Sequence, residues 1–471
     1  MIRIPGYEGR RVAIFGLGRT GIATARALQA SGADVIAWDD GAAGRSAAEQ
    51  AGLTLVDLRR RDWGDISALI LSPGVPLTHP APHPVVELAR AVDIPVIGDT
   101  ELFAQAIAAL PEKKRPQIVG ITGTNGKSTT TALVAHILAE AGRRVQVGGN
   151  IGTAILSLDP PRPGTVYVIE LSSYQLDLTH TLACDVAVCL NLSPDHLDRH
   201  GGFEGYAAAK ARIFSMQSTT GKAVIGVDDP HCQAMMTGLT RSRARDWVTP
   251  IASGRVFSHG VYALSGTLYD AMGGVSQPVM TLEDAPALPG RHNAQNAAAA
   301  LAVVRHLGLS PQTAVAAMKT FPGLAHRQER VGERDGVVFV NDSKATNGEA
   351  AVQALTCYPR IYWLAGGQAK TDGLESTLDH LDGVQQAFLF GEAGPSFATA
   401  LIGRVEADIS ATLDEALDKA IAAARADGEG GVVLLSPAAA SFDQYSSFEA
   451  RGDAFRTAVH NRLAAWQGEP A

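Results

Sequence analysis

The chain has 471 residues, of which 46% are hydrophobic and 19% are charged, and its formal net charge is −8. This composition is typical of a globular protein with a sizeable core, and the length favours about three domains. The acidic balance argues against a broad nucleic-acid-binding surface.

The four cysteines lie at positions 184, 189, 232 and 357, in no spacing typical of a metal cluster, which favours a reducing cytoplasm. The first residues, MIRIPGYEGR, lack the apolar stretch of a signal peptide. No run approaches the ~18 apolar residues of a membrane span. We therefore expect a cytoplasmic protein that acts on small molecules, as a monomer, without a nucleic-acid or membrane partner.

Strand-length apolar runs alternate with helix-length segments along the whole chain, which predicts an α/β fold with parallel sheets and crossover helices. In the first block, RVAIFGLG precedes a helix from Thr20 to about Ala30. The runs ADVIAWDD, SALILSPGV and IPVIGD supply further strands. The prolines and basic residues of ALPEKKRPQ predict a domain boundary near residue 112.

The turn after the first strand carries the pattern G-x-G-x-x-G, formed by Gly16, Gly18 and Gly21. Asp39 lies where the acidic residue of a dinucleotide site binds the ribose. The motif alone is permissive, because glycines at this spacing also make a tight turn with close helix–strand packing. The turn could therefore hold a nicotinamide dinucleotide, another nucleotide, or no ligand.

The second block opens with a strand, a glycine loop and a helix in QIVGITGTNGKSTTTALVAHILAEAG. VQVGGNIG, TVYVIELSS and VAVCLNLSPDH follow as strands with polar residues at their carboxyl ends. The stretch 227–285 is less regular and predicts a small β excursion, and GRHNAQNAAAALAVVRHLG predicts a helix. A second boundary is expected at FPGLAHRQER, near residue 322, and a third α/β unit completes the chain.

The loop GTNGKSTT, residues 123–130, predicts a phosphate site. Glycines let backbone N–H groups point at phosphate oxygens, and the helix N-terminus adds partial positive charge. Lys127 would neutralise the β- and γ-phosphates, and Ser128 would offer a hydroxyl to Mg²⁺. The upstream glycine, Gly120, lies one residue earlier than in the usual G-x-x-x-x-G-K-[ST] pattern. We expect an ATP site here.

Three further side chains follow strands or lie on a helix of the same block. Glu170 ends the run VYVIE, where a carboxylate could hold Mg²⁺, although in isolation a surface or capping role is favoured. His196 follows the next strand, and a lone histidine is more often structural. Lys210 lies on an alanine-rich helix, and its pattern alone predicts a solvated side chain. Asn293 and Asn296 share a helix face, which suits nucleotide recognition or a helix cap.

Several segments together resemble one family. GTNGKST, ELSSYQL, NLSPDHLDRH, GRHNAQN, AHRQE, NDSKATN and LLSPAAASFDQYSSFEARGDAF occur in the order found in the Mur ligases of peptidoglycan synthesis. The resemblance spans nearly the whole chain and is greatest to the members that add D-glutamate to UDP-N-acetylmuramoyl-L-alanine. It implies an ATP-dependent ligase in which ATP phosphorylates a carboxylate and an amine then displaces phosphate, with roles in cell shape and division.

The resemblance implies three domains. Residues 1–112 would form a Rossmann-like domain for the UDP substrate, 113–322 a central P-loop-type mononucleotide-binding domain for ATP, and 323–471 a Rossmann-like domain for the amino acid. ATP and two Mg²⁺ ions are the implied cofactors, and Lys210 matches the position that is carbamylated in the family. The implied metal-binding residues are Ser128, Glu170, His196 and Lys210.

The resemblance also implies roles for residues in all three blocks. The catalytic positions are Lys127, Glu170, His196, Lys210 and Lys344. The ATP-binding positions are Gly123, Thr124, Asn125, Gly126, Lys127, Ser128, Thr129, Asn293, Asn296, Arg327 and Asp342. The positions for the muramoyl substrate and its uridine nucleotide are Arg19, Thr20, Asp39, Asp40, Gly74, Asn150, Ser172 and Gln175. The positions for D-glutamate are Thr346, Lys370, Ser441, Phe442 and Phe448. In the family a threonine and an arginine follow the acid at 39, whereas this chain has Asp40 and Gly41.

Three alternatives remain open on the sequence. A sister ligase could add L-alanine to the muramoyl substrate or glutamate to a folate, although the diaminopimelate-type D-N-P-R motif is absent from the sequence and the glycine-rich first block disfavours a folate ligase. A nicotinamide oxidoreductase with an accessory NTPase domain would explain the first glycine turn. A nucleotide-gated scaffold would bind ATP without turnover.

Overall fold

The computed structural model describes residues 1–242, 245–369 and 373–466. The chain divides into two compact units. The first contains residues 1–284 and 293–321, and the second contains residues 285–292 and the chain from Pro322 onward. The fold is the expected α/β fold with parallel sheets. The predicted domain limits at residues 112 and 322 stay predictions.

The first sheet has five parallel strands in the order β3-β2-β1-β4-β5. Its strands are β1 (Arg11–Phe15), β2 (Asp34–Trp38), β3 (Thr54–Leu55), β4 (Ile66–Leu71) and β5 (Val96–Ile97). Its helices are α1 (Arg19–Ala30), α2 (Ala42–Gln50), α3 (Pro84–Ala91) and α4 (Asp99–Ala108). The central strands β1 and β4 are almost wholly apolar and buried because helices cover both faces of a parallel sheet.

The second sheet has nine strands in the order β14-β13-β12-β11-β10-β9-β6-β8-β7. Its strands are β6 (Gln117–Thr122), β7 (Arg144–Gly149), β8 (Thr165–Glu170), β9 (Val186–Cys189), β10 (Lys222–Gly226), β11 (Val248–Ser253), β12 (Val261–Leu264), β13 (Thr267–Asp270) and β14 (Gln277–Thr281). Its helices are α5 (Lys127–Glu140), α6 (Ser173–Asp177), α7 (Leu197–His200), α8 (Phe203–Ser215), α9 (Pro230–Ser242), α10 (Gly290–His306) and α11 (Pro311–Lys319).

Strand β6 lies between β8 and β9, and all three are parallel. The carboxyl ends of parallel strands meet at one edge of the sheet, where α/β proteins bind ligands. The glycine loop after β6, Glu170 at the end of β8 and the segment after β9 therefore converge.

The irregular stretch 227–285 differs from the expected β excursion. It contains the helix α9, and its strands extend the large sheet: β11 and β12 continue the parallel pairing, whereas β13 and β14 form antiparallel pairs. Short, weakly patterned strands such as β13 depend on their neighbours, so the sequence predicts their existence better than their pairing. Among the described residues, no helix has the length and apolar character needed to cross a bilayer.

Helix α4 connects the first sheet to the nine-stranded sheet within the first unit. Its Phe103 ring lies 5.3 Å from the Tyr167 ring of β8. The buried Glu101 carboxylate accepts hydrogen bonds from the backbone N–H groups of His180 (2.7 Å) and Thr181 (2.9 Å). The two sheets therefore share a continuous hydrophobic core.

The second unit has a six-stranded sheet in the order β15-β16-β20-β17-β18-β19, parallel except for β15. Its strands are β15 (Glu329–Arg334), β16 (Val337–Asn341), β17 (Ile361–Gly366), β18 (Val384–Phe390), β19 (Ala407–Ser410) and β20 (Gly431–Leu435). Its helices are α12 (Gly348–Leu355), α13 (Gly394–Leu401), α14 (Leu413–Asp427) and α15 (Phe448–Trp466). The loops after β16, β17 and β20 lie at one sheet edge, because these strands are parallel neighbours.

Candidate active site

The glycine loop between β6 and α5 has the backbone that a phosphate loop needs. Gly123 (φ 146°) and Gly126 (φ 82°) adopt conformations that disfavour other residues. A Cβ atom at Gly126 would lie 2.3 Å from Asn296 Oδ1, so only glycine fits against that amide. Ser128 and Thr129 follow in the first turn of α5, whose leading N–H groups have no partner within the helix.

Asn191, in the segment after β9, holds this loop and is not among the residues predicted from the sequence. Its backbone oxygen accepts from Thr124 N (2.9 Å), and its Oδ1 accepts from Asn125 N (2.8 Å). Its Nδ2 donates to Gln295 Oε1 (3.0 Å) on α10. Its place in NLSPDH, directly after a strand, was the only signal in the sequence. Two of the loop amides expected to face phosphate therefore bond to Asn191.

Asn293 and Asn296 share a helix face, as predicted, and both are buried. Asn296 Nδ2 donates to Asn293 Oδ1 (3.0 Å), and Asn296 Oδ1 accepts from the Thr130 hydroxyl (3.1 Å). The pair thus supports the first turns of α5 from the side. Their predicted contacts to ATP stay predictions.

Two lysine side chains converge on the glycine loop. Lys127 Nζ donates to the backbone oxygens of Gly123 (3.0 Å) and Thr124 (2.7 Å). Lys210 Nζ donates to the same Gly123 oxygen (2.8 Å). Two amine nitrogens therefore meet at one carbonyl oxygen, and the charged Lys127 side chain gives the loop a positive field that suits phosphate.

The helix pattern predicts a solvated side chain for Lys210, and this prediction is wrong. Lys210 is 2% exposed because α8 packs against the sheet, and its ammonium lies 4.8 Å from the Tyr206 ring centroid. Burial, and secondly the charge of Lys127, lower the pKa of Lys210 to about 7. A large fraction of this amine is therefore neutral near physiological pH.

Glu170 is also buried, contrary to the surface role that its isolated context favours, because it ends a strand inside the sheet. Its Oε1 accepts from Asn150 Nδ2 (2.7 Å). Its Oε2 is buried without a hydrogen-bond partner among the described residues. An orphaned, buried carboxylate oxygen fits a cation.

His196 lies at the start of α7 in a left-handed conformation (φ 51°). Its imidazole is half-exposed, lies 3.4 Å from the Asp195 carboxylate and packs 5.1 Å from the Tyr174 ring. Within the described residues, no three His, Cys, Asp or Glu side chains are grouped as a metal cage. Mg²⁺ commonly uses one or two carboxylates with water and phosphate, so the single carboxylate of Glu170 is compatible with it.

Ser172 and Gln175 bond to each other at the start of α6. Ser172 Oγ accepts from Gln175 N (3.2 Å), and Gln175 Oε1 accepts from Ser172 N (3.0 Å), which is a capping box. The family resemblance implies contacts to the muramoyl substrate at these two residues. The arrangement fixes the helix start, and the substrate contacts stay predictions.

The first glycine turn is filled by Asp39. Its Oδ2 accepts from Leu17 N (2.6 Å) and its Oδ1 accepts from Gly41 N (2.7 Å), so this carboxylate is engaged with the turn. A Cβ at Gly16 would lie 2.4 Å from Ser72 Cβ, and one at Gly21 would lie 2.0 Å from the Gly16 oxygen. Two of the three motif glycines therefore serve close packing, the alternative left open above.

The other predicted residues of this block surround the turn. Arg19 is exposed and begins α1, and Thr20 follows it. Asp40 pairs with His83 Nε2 (3.0 Å) and Arg59 (3.3 Å). The backbone oxygen of Gly74 accepts a hydrogen bond from the Arg199 guanidinium (3.0 Å). Arg199 lies three residues after His196 and is not among the predicted site residues.

In the second unit, Asp342 is buried at the end of β16 beside Arg327. It accepts from Gln328 N (3.2 Å) and from the Ser436 hydroxyl (2.9 Å). Burial raises its pKa to about 7, against the opposing effects of the Ser436 bond and the Arg327 charge. Lys344 is exposed, and its ammonium lies 3.9 Å from the centroid of the Phe448 ring.

The remaining predicted residues belong to the same sheet edge. Thr346 lies two residues after Lys344, and its backbone N–H donates to the backbone oxygen of Lys344 (2.9 Å). Ser441 is buried, whereas Phe442 is 69% exposed. Lys370 lies outside the described residues.

Comparisons with known proteins agree with this architecture. The Mur ligase middle domain family matches residues 121–304, and the Mur ligase glutamate ligase domain family matches residues 326–439. The UDP-N-acetylmuramoylalanine--D-glutamate ligase of Phenylobacterium zucineum (strain HLK1) is 55% identical over 471 residues, covering 100% of both chains. The ligase of the same name from Caulobacter vibrioides (strain NA1000 / CB15N) is 54% identical, with the same coverage.

Solved structures show the fold. The UDP-N-acetylmuramate-alanine ligase of Thermotoga maritima superposes with a TM-score of 0.57 at 18% identity, covering 97% of this chain and 99% of its own. A UDP-N-acetylmuramoyl-L-alanyl-D-glutamate--2,6-diaminopimelate ligase also gives 0.57, at 21% identity and with coverage of 98% and 93%. The full-length relatives and the two matched domain families show that the chain belongs to the Mur ligase family.

Proposed function

We propose that this chain joins D-glutamate to UDP-N-acetylmuramoyl-L-alanine at the expense of ATP, in peptidoglycan synthesis. The observation that carries the proposal is the convergence of Lys127 and Lys210 on the glycine loop, close to the buried Glu170. The name of the 55% identical, full-length relative supports the choice of substrates.

The reaction consists of two balanced displacements. A carboxylate oxygen of the muramoyl-alanine attacks the γ-phosphorus of ATP, the bond to the bridging oxygen breaks, and ADP leaves. The amine of D-glutamate then attacks the acyl carbon, loses a proton, and the tetrahedral species expels phosphate to leave an amide. Both steps depend on positioning and on cations facing the phosphoryl oxygens.

In this proposal the chain's own residues position and neutralise the phosphates. The amides from Gly126 to Thr129 bind phosphate oxygens, and Lys127 moves from the loop carbonyls to the β- and γ-phosphates. Asn293 and Asn296 support the first turns of α5, and Arg327 and Asp342 are further expected ATP-binding positions.

Glu170, Ser128 and His196 would hold Mg²⁺, with two ions expected. When bound, Mg²⁺ would supply charge neutralisation on the transferring phosphoryl group. The orphaned Oε2 of Glu170 supports this placement. At a pH near the lowered pKa, part of the Lys210 population is a neutral amine that can attack CO₂. The reaction forms an N–C bond and releases a proton. The resulting carbamate would be a second anion beside the site.

The substrates are assigned to the outer blocks. The turn at Gly16–Gly21 with Arg19, Thr20, Asp39, Asp40 and Gly74 would take the uridine nucleotide, and Asn150, Ser172 and Gln175 would contact the muramoyl part. The amino-acid positions are Thr346, Lys370, Ser441, Phe442 and Phe448, with Lys344 as a catalytic position nearby. We place the enzyme in the cytoplasm as a monomer, with residues 1–112, 113–322 and 323–471 as its three domains.

Release of ADP and phosphate by the purified chain tests the proposal. We expect equal amounts of ADP and phosphate only when UDP-N-acetylmuramoyl-L-alanine and D-glutamate are both present. A panel with L-glutamate, L-alanine and meso-diaminopimelate separates the sister ligases. Turnover with another amino acid and none with D-glutamate would contradict the proposed substrate.

A further inference from the structure

Arg451, in the first turn of α15, is a wholly buried cation in the second unit. It is 0% exposed. Its guanidinium reaches the sheet edge where three parallel strands end, and it contacts the loops that follow β16, β17 and β20. Arg451 lies in the segment LLSPAAASFDQYSSFEARGDAF, but it is not among the expected catalytic, ATP-binding or substrate positions.

Five hydrogen bonds hold the guanidinium. Nε donates to the Ser343 hydroxyl (3.0 Å), and Nη2 donates to the backbone oxygens of Ser343 (3.0 Å) and Ala439 (3.0 Å). Nη1 donates to the backbone oxygens of Gly366 (3.3 Å) and Ala440 (3.2 Å). A guanidinium has five N–H groups, so this set uses its whole donor capacity.

All five acceptors are uncharged. Burial therefore lowers the pKa of Arg451 to about 10, although Asp443 and Tyr445 favour its charged form from a distance. Placing a cation among neutral groups opposes folding. An apolar side chain would fill the same space without that cost, so packing alone does not explain an arginine here.

The three loops carry the positions assigned to the amino-acid substrate. Thr346 lies three residues after Ser343, and Ser441 follows Ala440 directly. The loop after β17 is tied to the loop after β20 by reciprocal backbone hydrogen bonds between Gln368 and Ala440 (2.8 and 2.9 Å). Ser343 Oγ in turn donates to the backbone oxygen of Phe448 (2.9 Å).

Gly367 shows how closely the loops approach the guanidinium. A Cβ atom there would lie 2.2 Å from the Ala440 oxygen and 2.9 Å from Arg451 Nη1, and the residue has φ 125°. Only glycine lets the loop after β17 pass between these two groups. The clamp therefore depends on backbone shape as well as on the arginine.

We propose that Arg451 is a positioning residue that locks these three loops in the arrangement that binds the dicarboxylate amino-acid substrate. It does not touch the substrate, because its donors are all used by the loops. The inference rests on the proposed function for the identity of that substrate. The clamp itself is a property of the second unit.

Steady-state kinetics of Arg451→Met and Arg451→Lys test this role. Loss of a side chain that supports a binding site commonly lowers affinity or activity by about 10–100-fold. We therefore expect KM for D-glutamate to rise by at least about tenfold in Arg451→Met. KM for ATP should stay within about twofold. Lysine keeps the charge but has three donors on one nitrogen, so Arg451→Lys should also raise KM for D-glutamate.

Arg456→Met is the matched control. Arg456 lies on the same helix but is partly exposed, and it bonds to Glu329 and Asp453 rather than to the loops. It should leave both KM values unchanged. In Arg451→Ala, added guanidinium ion should lower KM for D-glutamate again, which a general loss of stability would not allow.

Hydrogen exchange keeps the clamp testable apart from the substrate. In Arg451→Met, backbone amides in 343–346 and 439–441 should exchange faster, whereas those of α5 should not change. If the wild type uses no D-glutamate, the proposed function fails, and this exchange pattern still tests the clamp. Unchanged hydrogen exchange in 343–346 and 439–441, or equal increases in KM for D-glutamate and for ATP, would overturn the inference. If Arg451→Met does not fold, the same criteria apply to Arg451→Lys.

Discussion

The two glycine turns of the first unit follow the same strand–turn–helix pattern but differ in the charge that faces them. Gly16–Gly21 is closed by the Asp39 carboxylate, which accepts from Leu17 N and Gly41 N. The loop at residues 123–128 is instead faced by the Lys127 ammonium and by the buried amine of Lys210, whose pKa is lowered to about 7. Glycine spacing therefore does not identify a triphosphate site, whereas the sign of the neighbouring charge separates the two turns.

The difference bears on the nicotinamide alternative. In a dinucleotide site the acidic residue after the second strand binds ribose hydroxyls, whereas Asp39 accepts from Leu17 N in the turn and from Gly41 N two residues further on. The first turn is thus a packed, preorganised structure, and the mid-chain loop has the charge for phosphoryl transfer.

Replacing Lys127 should have the largest effect. Lys127→Ala removes a cation from the mid-chain loop, and we expect kcat/KM to fall by about 10³-fold, because charge stabilisation of the transferring phosphoryl group is lost. Initial rates of ADP release measure this. Lys222→Ala, at a partly exposed lysine paired with Asp246, is the matched control and should keep full activity. Comparable losses in both variants would contradict the assignment.

Stability against pH should report the buried Lys210. Its folded-state pKa of about 7 lies below the ordinary value of 10.5, so between these values the unfolded chain binds more protons than the folded one. This group therefore makes the free energy of unfolding rise with pH from about 7 to about 10.5 and contributes no slope below 7. Lys210→Met should lose that rise in denaturant titrations. The same slope in both proteins would show that Lys210 is not a desolvated amine.

Gly16→Ala tests the packing role of the first turn. The new Cβ would clash with Ser72 at a residue of φ 94°, and we expect a loss of about 3 kcal/mol in the free energy of unfolding. KM for the uridine substrate should rise and KM for ATP should not. Gly18→Ala is the control, since no atom lies within 4 Å of its Cβ position, and it should cost less than about 1 kcal/mol. Similar losses in the two variants would argue against close packing at Gly16.

Asp40→Thr should have the smallest effect and restores the family residue. Asp40 makes half-exposed pairs with His83 and Arg59, and such pairs contribute about 0–1 kcal/mol. We expect KM for the uridine substrate to change by less than about fivefold. A much larger change would make Asp40 a principal substrate contact.

The strands and the mid-chain loop were predictable because their signals are local. The apolar runs of β1, β4, β6 and β8 and the glycines at 123 and 126 each occupy a few neighbouring residues. The clamp of Asn191 on the loop was not predictable, because it depends on β9 pairing with β6, with Cys189 opposite Thr122.

The burial of charged side chains was also not predictable from the sequence. Lys210 and Glu170 have sequence surroundings that fit an exposed side chain, and only the packing of α8 and the position of β8 inside the sheet bury them. Arg451 bonds to residues up to 108 positions away in sequence, and no periodicity encodes that distance. The resemblance to the Mur ligases indicated which residues matter, but not how they are held.

Transfer of oxygen from the acceptor carboxylate to phosphate distinguishes acyl-phosphate activation from other uses of ATP. UDP-N-acetylmuramoyl-L-alanine labelled with ¹⁸O in its free carboxylate is incubated with ATP, Mg²⁺ and D-glutamate, and the released phosphate is analysed by mass. If ATP activates that carboxylate as an acyl phosphate, each phosphate carries one carboxylate-derived oxygen. ATP consumption and amide formation with unlabelled phosphate would contradict the account.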